Sequence, residues 1–389
     1  MFPDPLPAPP LGLFRLGPFE LTPRLRLGTL GVDTNVFYTP VDRTTDLSAS
    51  ARPGLEIALP IRRSFRLIGE GWVDVVYFAK TTSQRQVNGG GRGRAEWNSP
   101  GLLAGVERSY TKRFFRPSYE LNDRVSEGVW RTAVDLELRG RLGVRTAARL
   151  NRYEPEAGQV YSGADVRRNL ARDEDRLELG LGYRITQKTS LFVEGDHQRD
   201  RFLENEARDA DSNRVYGGLE VVSPTRVSGR LEAGARSFRP LSSLYSSIWV
   251  AYGKADLTYR FGPRTAVTVG YLRDLNYTVF DSVGRTPTYV TESYSLSIDK
   301  GLGGGFNVVA SGGYSETQTD GPVVIETSDG TVTEERRDRS WSGGLNIGYT
   351  FRSRLRLGVG AVYNDRYSNY SDFGVDGLLL GASLTLNPN

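Results

Sequence analysis

From Leu355 to Tyr363 the chain runs Leu-Arg-Leu-Gly-Val-Gly-Ala-Val-Tyr, apolar at 355, 357, 359, 361 and 363, with mostly Arg, Gly or other small residues between. Alternation of this kind puts one set of side chains on each face of a strand. The rhythm restarts after every tight turn from Leu21 to Leu386. Repeated along a whole chain, with one apolar and one polar face, it is the signature of a closed barrel whose outer solvent is lipid.

The pattern predicts an all-β chain of eighteen strands: 21–38, 46–59, 64–79, 86–98, 101–115, 128–139, 143–154, 172–185, 189–202, 212–223, 226–238, 246–261, 265–280, 288–300, 306–318, 336–351, 355–368 and 373–386. The connections alternate in length. Short ones fall at 60–63, 99–100, 140–142, 187–188, 224–225, 262–264, 301–305 and 352–354, several with Pro or Gly turn chemistry. Longer polar ones fall between them, such as 116–127, 155–171, 203–211 and 319–335. Short turns at one end and long loops at the other predict a single transmembrane antiparallel β-barrel with periplasmic turns and extracellular loops. An even strand count brings both ends of the barrel to the periplasmic side. Pro3, Pro5, Pro7, Pro9 and Pro10 make 1–18 an extended, Pro-rich periplasmic segment ahead of a barrel over 19–389.

Parity assigns the faces. The lipid side takes Leu177, Leu179, Leu181, Tyr183 and Ile185, then Val215, Leu219 and Val221, Leu257, Tyr259 and Phe261, and Leu378, Leu380, Leu384 and Leu386. Trp130, Trp249 and Trp341 fall near the loop ends, while Phe65, Trp97, Tyr183, Phe261, Tyr349 and Phe351 fall near the turn ends. Two such aromatic belts are what membrane interfaces select. The opposite face carries the charge and is expected to line the lumen: Arg66, Glu70, Trp72, Asp74, Arg94, Glu107, Asp135, Glu137, Arg139, Arg149, Arg176, Arg184, Tyr216, Arg230, Glu232, Arg236, Asp256, Arg260 and Arg356. Charges are very costly against lipid, so these must meet water or one another. Both signs alternate along single strands, so cross-strand ion pairs are expected to hold the wall. Mixed with inward aromatics, the same groups suit sugars, whose C–H faces meet rings and whose hydroxyls meet Arg and carboxylates.

Composition narrows the classes. No stretch approaches the ~20 consecutive apolar residues of a membrane helix, and the mean hydropathy is −0.41. A barrel escapes that test because only every second residue must be apolar. The net charge of +4, from 50 basic and 46 acidic residues, is too balanced to argue for nucleic acid. All but five of the basic residues are Arg, suited to bidentate pairing with carboxylates. Met1-Phe2-Pro3-Asp4-Pro5-Leu6-Pro7 lacks the basic and apolar regions of a secretory signal, so the export signal of a Gram-negative outer-membrane protein is expected to be absent from this sequence.

No catalytic constellation emerges, and no cofactor is expected. One histidine, His197, and no cysteine exclude the usual zinc sites. Parity puts His197 on the lipid face near a loop end. Asp209-Ala210-Asp211-Ser212-Asn213 lacks the Gly and distal Glu of a calcium loop. Gly89-Gly90-Gly91-Arg92-Gly93 is no phosphate loop, because no Lys-Ser/Thr follows.

At the first hairpins, Leu21-Thr22-Pro23-Arg24-Leu25 leads into Val32-Asp33-Thr34-Asn35-Val36-Phe37-Tyr38, then Asp46, Pro53-Gly54-Leu55-Glu56 and Arg63-Ser64-Phe65-Arg66-Leu67. This succession resembles the putative β-barrel porin-2 family, outer-membrane barrels often found with exopolysaccharide or capsule secretion systems. Thr34 departs from the family's Asp-Asn-Val-Phe, and Leu384-Thr385-Leu386-Asn387-Pro388-Asn389 lacks the terminal aromatic common in outer-membrane proteins. The resemblance implies passage of a secreted polysaccharide across the outer membrane. Its implied partners are outer-membrane lipid, a periplasmic polysaccharide-export component and the barrel-assembly machinery. A diffusion porin for small solutes is the alternative; an outer-membrane enzyme built on His197 and an adhesive barrel acting through its loops are weaker readings.

Overall fold

The computed structural model describes residues 14–115, 120–121, 124–223, 226–282, 285–328, 330–351 and 354–386. Eighteen strands form the wall: β1 (Phe19–Asp33), β2 (Asp46–Arg62), β3 (Phe65–Phe78), β4 (Gln86–Ser99), β5 (Leu102–Phe115), β6 (Val125–Leu138), β7 (Leu142–Pro155), β8 (Arg172–Arg184), β9 (Thr189–Phe202), β10 (Ala210–Val221), β11 (Val227–Pro240), β12 (Ile248–Arg260), β13 (Thr265–Tyr277), β14 (Thr288–Gly303), β15 (Phe306–Thr327), β16 (Gly330–Phe351), β17 (Leu355–Ser368) and β18 (Val375–Leu386). Each pairs antiparallel with the next. β18 returns to β1, from Leu25↔Leu386 to Asp33↔Leu379, and closes the cylinder. Closure leaves no strand edge, the condition for backbone to cross hydrocarbon. Phe14–Leu16 folds back on β1 through a turn at Gly17, whose φ of 60° suits a residue without Cβ.

The alternation governs both faces. Leu177, Leu179, Leu181 and Tyr183 stand outward from β8, while Arg172, Glu174, Arg176 and Glu178 stand inward between them. The outward aromatics form rows: Tyr271, Tyr294, Tyr314 and Trp341 follow one another across β13 to β16, with Tyr314 and Trp341 rings 4.5 Å apart. A second belt at the turn end pairs Tyr259 with Phe261 at 4.5 Å and Phe306 with Tyr349 at 4.6 Å.

Two stretches depart from the predicted pattern. The strand expected over 21–38 stops at Asp33, because Asn35 builds a turn: its amide donates to Asp33 Oδ1, and its side chain donates to the carbonyls of Thr39 and Asp376. The polar loop expected over 319–335 is instead strand, since β15 and β16 run far beyond the wall and pair up to Thr327↔Gly330. The β-branched run Val323-Val324-Ile325 supports that extension, and the register shifts between Gln318 and Pro322, beside Gly321 at φ 112°. The expected turn at 224–225, part of that at 352–354 and residues 1–13 of the lead-in lie outside the described residues.

The loops do not splay into solvent. Leu121, Tyr161, Val166, Leu170, Phe280, Val323, Ile325 and Phe373 pack into one buried cluster with Phe202, Phe238, Leu275 and Tyr277 from the strand ends. Tyr161, from the β7–β8 connection, lies 6.1 Å from Phe280 of β13–β14 and 5.8 Å from Phe373 of β17–β18. Connections spaced around a closed ring can meet only by crossing its mouth. The loops therefore form a cap with a core of its own. The β7–β8 connection contributes a small hairpin, Val160–Tyr161 against Ala164–Asp165, and a one-turn helix α1 (Val166–Leu170) whose N-cap Asp165 accepts from the Arg168 amide.

Candidate functional site

The inner wall divides into two sectors. From β1 to β13 it is a mesh of ion pairs. Glu70 lies 2.8 Å from Arg92 and 3.6 Å from Arg24. Arg66 meets Glu96 at 2.7 Å, and Arg94 reaches Glu96, Glu107 and Asp135 at 3.1, 3.5 and 3.8 Å. Asp135 also binds Arg149 at 2.6 Å, and Glu137 contacts Arg139 and Arg145 at 3.5 and 3.8 Å. Asp74 pairs with Arg52 at 2.6 Å, whose guanidinium lies 4.6 Å over the Trp72 ring. Further round, Arg230 bridges Glu194 and Glu232, both at 2.6 Å, and the Tyr216 hydroxyl donates to Glu194 at 2.9 Å.

Several of these bonds skip strands. Arg145 of β7 reaches Glu220 of β10 at 3.2 Å, and Arg214 of β10 reaches Asp274 of β13 at 3.2 Å. Arg236 meets Asp274 at 3.1 Å, while Arg176 donates to Gln198. Such lattices brace the wall, and their energies are modest where water screens them. Other members of the expected inner set are less engaged. Asp256 meets Lys254 at 3.6 Å, Arg260 donates to Ser228 at 3.1 Å, Arg356 donates to Asn346 at 2.9 Å, and Arg184 lies exposed at the turn end of β8.

Across β14, β15 and β16 the inner face changes character. Ser293, Ser315 and Ser340 are direct register partners, and in the adjacent row Ser295, Gly313 and Ser342 are partners too. These residues line a cavity of about 700 Å³, with Tyr38, Leu121, Asn276, Tyr289 and Asn364 around it. Arg366 and Asp365 are the charged residues at its rim, and the Arg366 Nε donates to the Phe373 carbonyl at 2.9 Å. A smaller recess of about 220 Å³ in the other sector is lined instead by Arg176, Glu178, Glu194, Arg230 and Glu232.

Above the cavity, the cap encloses charge. Glu120 is fully buried, accepting from Thr278 Oγ1 at 2.7 Å and from the Val279 amide at 2.9 Å. Its carbonyl accepts from Arg336 Nη2 at 3.0 Å; Arg336 also pairs with Asp338 at 2.7 Å and lies 4.1 Å over the Phe373 ring. Arg208 donates to the carbonyls of Thr278 and Pro287. Burial pushes the Glu120 carboxyl above the usual carboxylate range against the opposing pull of Arg336, and burial lowers the Arg208 guanidinium to about 10. The cap charges were not among the residues expected from sequence. Arg336 and Asp338 share parity, but their burial arises from loops elsewhere in the chain.

His197 bonds Asn213 through Nδ1 at 2.8 Å and receives the Arg199 Nε at 3.2 Å. Among the described residues no group of His, Asp or Glu is arranged to hold a metal.

A family model described as putative beta-barrel porin 2 matches residues 7–387, nearly the whole length. The chain belongs to this family. It is an outer-membrane β-barrel of porin type. Among curated proteins, none matches by sequence. Solved structures share the fold at low identity. OpdQ of Pseudomonas aeruginosa superposes with a TM-score of 0.51 at 12% identity, over 94% of this chain and 98% of that one. The siderophore receptor PirA of Acinetobacter baumannii gives 0.50 at 8% identity, over 94% and 80%. The FrpB iron transporter of Neisseria meningitidis gives 0.51 at 7%, over 89% of this chain but only 61% of that one. At such identities the likeness is one of fold.

Proposed function

We propose that this porin is a passive channel for hydrophilic solutes across the outer membrane, narrowed at its loop end by its own cap. One observation carries the reading: a closed wall whose inner face carries most of the strands' charged and hydroxyl groups and lines a cavity of about 700 Å³ beneath the loops. The ion-paired sector fixes the wall's shape, and the hydroxyl sector supplies the path. Reconstituted into planar bilayers, the protein is expected to give stepwise ion conductance, and vesicles carrying it to swell in small sugars. Silence in both assays would overturn the reading.

Export of a secreted polysaccharide, handed over by a periplasmic export component docked at the turn end, is the second reading. The cap favours it, because a polymer conduit needs closure between substrates. Deleting the protein would then abolish surface polymer while periplasmic synthesis continues. Under either reading the chain is a conduit rather than an enzyme, inserted into outer-membrane lipid by the barrel-assembly machinery. Replacing His197 with Ala is expected to leave transport unchanged.

A further inference from the structure

We propose that the serine-lined cavity under the cap is a binding and transit site for an uncharged, polyhydroxylated solute, and that solutes pass off-centre along this wall. The inference rests on the channel reading above and names the class of solute.

Two features of the inner wall locate the path. Over much of β1 to β13 the inward face carries Arg, Asp and Glu side chains tied to one another, some across three strands. Such side chains fill the space next to their own wall. Across β14 to β16 the inward positions of the middle rows are Ser or Gly, so the open volume lies against that side. The route is set by side-chain length, not by the geometry of the cylinder.

The same residues define the chemistry. The hydroxyls of Ser293, Ser295, Ser315, Ser340 and Ser342 line the cavity, and none has a hydrogen-bond partner among the described residues. Ser315 is only 9% exposed. A hydroxyl on a cavity wall with no protein partner is available to a solute that enters. The five surround Gly313 in two rows over three strands. Strands lie about 4.8 Å apart and alternate residues of one strand nearly 7 Å apart, so the hydroxyls form a two-dimensional grid rather than a single contact. Each can donate once and accept twice, which matches a ligand bearing many hydroxyls and rejects none by charge. Tyr38, half-buried at the cavity, offers a ring face to the C–H surface of such a ligand. Gly313 keeps the middle of the grid open: a Cβ there would lie 2.7 Å from Ser342 Oγ.

The test uses the full chain in planar bilayers, with a neutral linear glucose oligomer as probe and a polyethylene glycol of equal hydrodynamic size as control. The sugar is expected to interrupt the current at concentrations where the glycol does not. In the combined variant Ser295→Ala, Ser315→Ala, Ser340→Ala the apparent affinity should fall about tenfold, with small-ion conductance kept within a factor of about two. Glu220→Gln, in the ion-paired sector, should leave sugar affinity unchanged. Equal block by sugar and glycol, or equal affinity in the serine variant and the native chain, would overturn the proposal while leaving the channel reading intact. If the native protein passes no current, the channel reading fails. The site is then judged by calorimetric titration of the same oligomer into detergent-solubilised protein, with the serine variant as comparison; no heat of binding to the native chain would overturn it.

Discussion

β15 crosses two solvents, and its pattern inverts between them. In its lower half Tyr314 faces outward toward lipid while Ser311 and Ser315 face the lumen. In its upper half Val323 and Ile325 point inward and are fully buried, whereas Glu326 is exposed on the outer side. The wall is apolar outside and polar within; the cap buries an apolar cluster together with a few paired charges and turns most of its polar groups outward, like a soluble protein. The register shift between Gln318 and Pro322 lies where the two regimes meet. Both halves obey one rule, that apolar groups leave water. Only the location of the water differs.

The comparison can be broken first in the cap. Arg336→Ala leaves Asp338 buried without its cation, a change expected to cost the cap about 3–5 kcal/mol. Limited proteolysis should then cut the 156–171 and 328–330 regions rapidly while the wall stays intact, and bilayer current should rise. Loss of the whole barrel would show that cap and wall are one cooperative unit. Leu179→Arg attacks the wall instead: an Arg on the lipid face near the bilayer midplane costs roughly 2–4 kcal/mol. Folding titrations in vesicles should register that loss, with the cap's protease pattern unchanged.

A third test separates the regions by pH. Burial raises the folded-state pKa of Glu120 above the ordinary carboxyl value of about 4.5. Between those two values the folded cap holds more protons than the open one, so cap stability falls as pH rises through that window and is greatest below it. Arg336, Asp338 and Arg208, with Thr278 and the Val279 amide, are among the groups that face this carboxyl. Hydrogen exchange of the loop amides is expected to quicken with rising pH beyond the intrinsic rate, and Glu120→Gln to remove that excess. An unchanged slope in Glu120→Gln would assign the effect to another group. The smallest effect is expected at Arg15→Ala, which removes an exposed pair with Glu20 at 2.9 Å. Such pairs contribute at most about 1 kcal/mol, so thermal melting should barely shift.

Wherever burial follows from neighbours along the strand, the sequence is a good guide. The outward run from Leu177 to Tyr183 and the belt at Trp130, Trp249 and Trp341 are exposed as parity requires. The cross-strand pairing of Glu70 with Arg92 and Asp135 with Arg149 follows from the same alternation. The extended hairpin over 319–335 was missed because its outer side chains are polar, as a loop's are, while its inward Val323 and Ile325 look like isolated apolar residues. Glu120 was missed for a different reason. It is a lone carboxylate in a polar stretch, and its partners Thr278 and Val279 lie more than 150 residues away. The serine grid is present in the sequence as Ser293, Ser295, Ser315, Ser340 and Ser342, but small polar residues carry no charge to mark them.

What the chain determined by itself was the barrel and its strand count, because a period of two is a property of consecutive residues. Tertiary structure alone decided what happens at the mouth and where the lumen is open. Closing β18 onto β1 brings loops from opposite sides of the ring within reach, and their apolar residues then bury one another. Closure also sets long ion-paired side chains against a wall of serine and glycine, so the free space lies on one side. Both outcomes depend on distances across the cylinder, which no local pattern encodes.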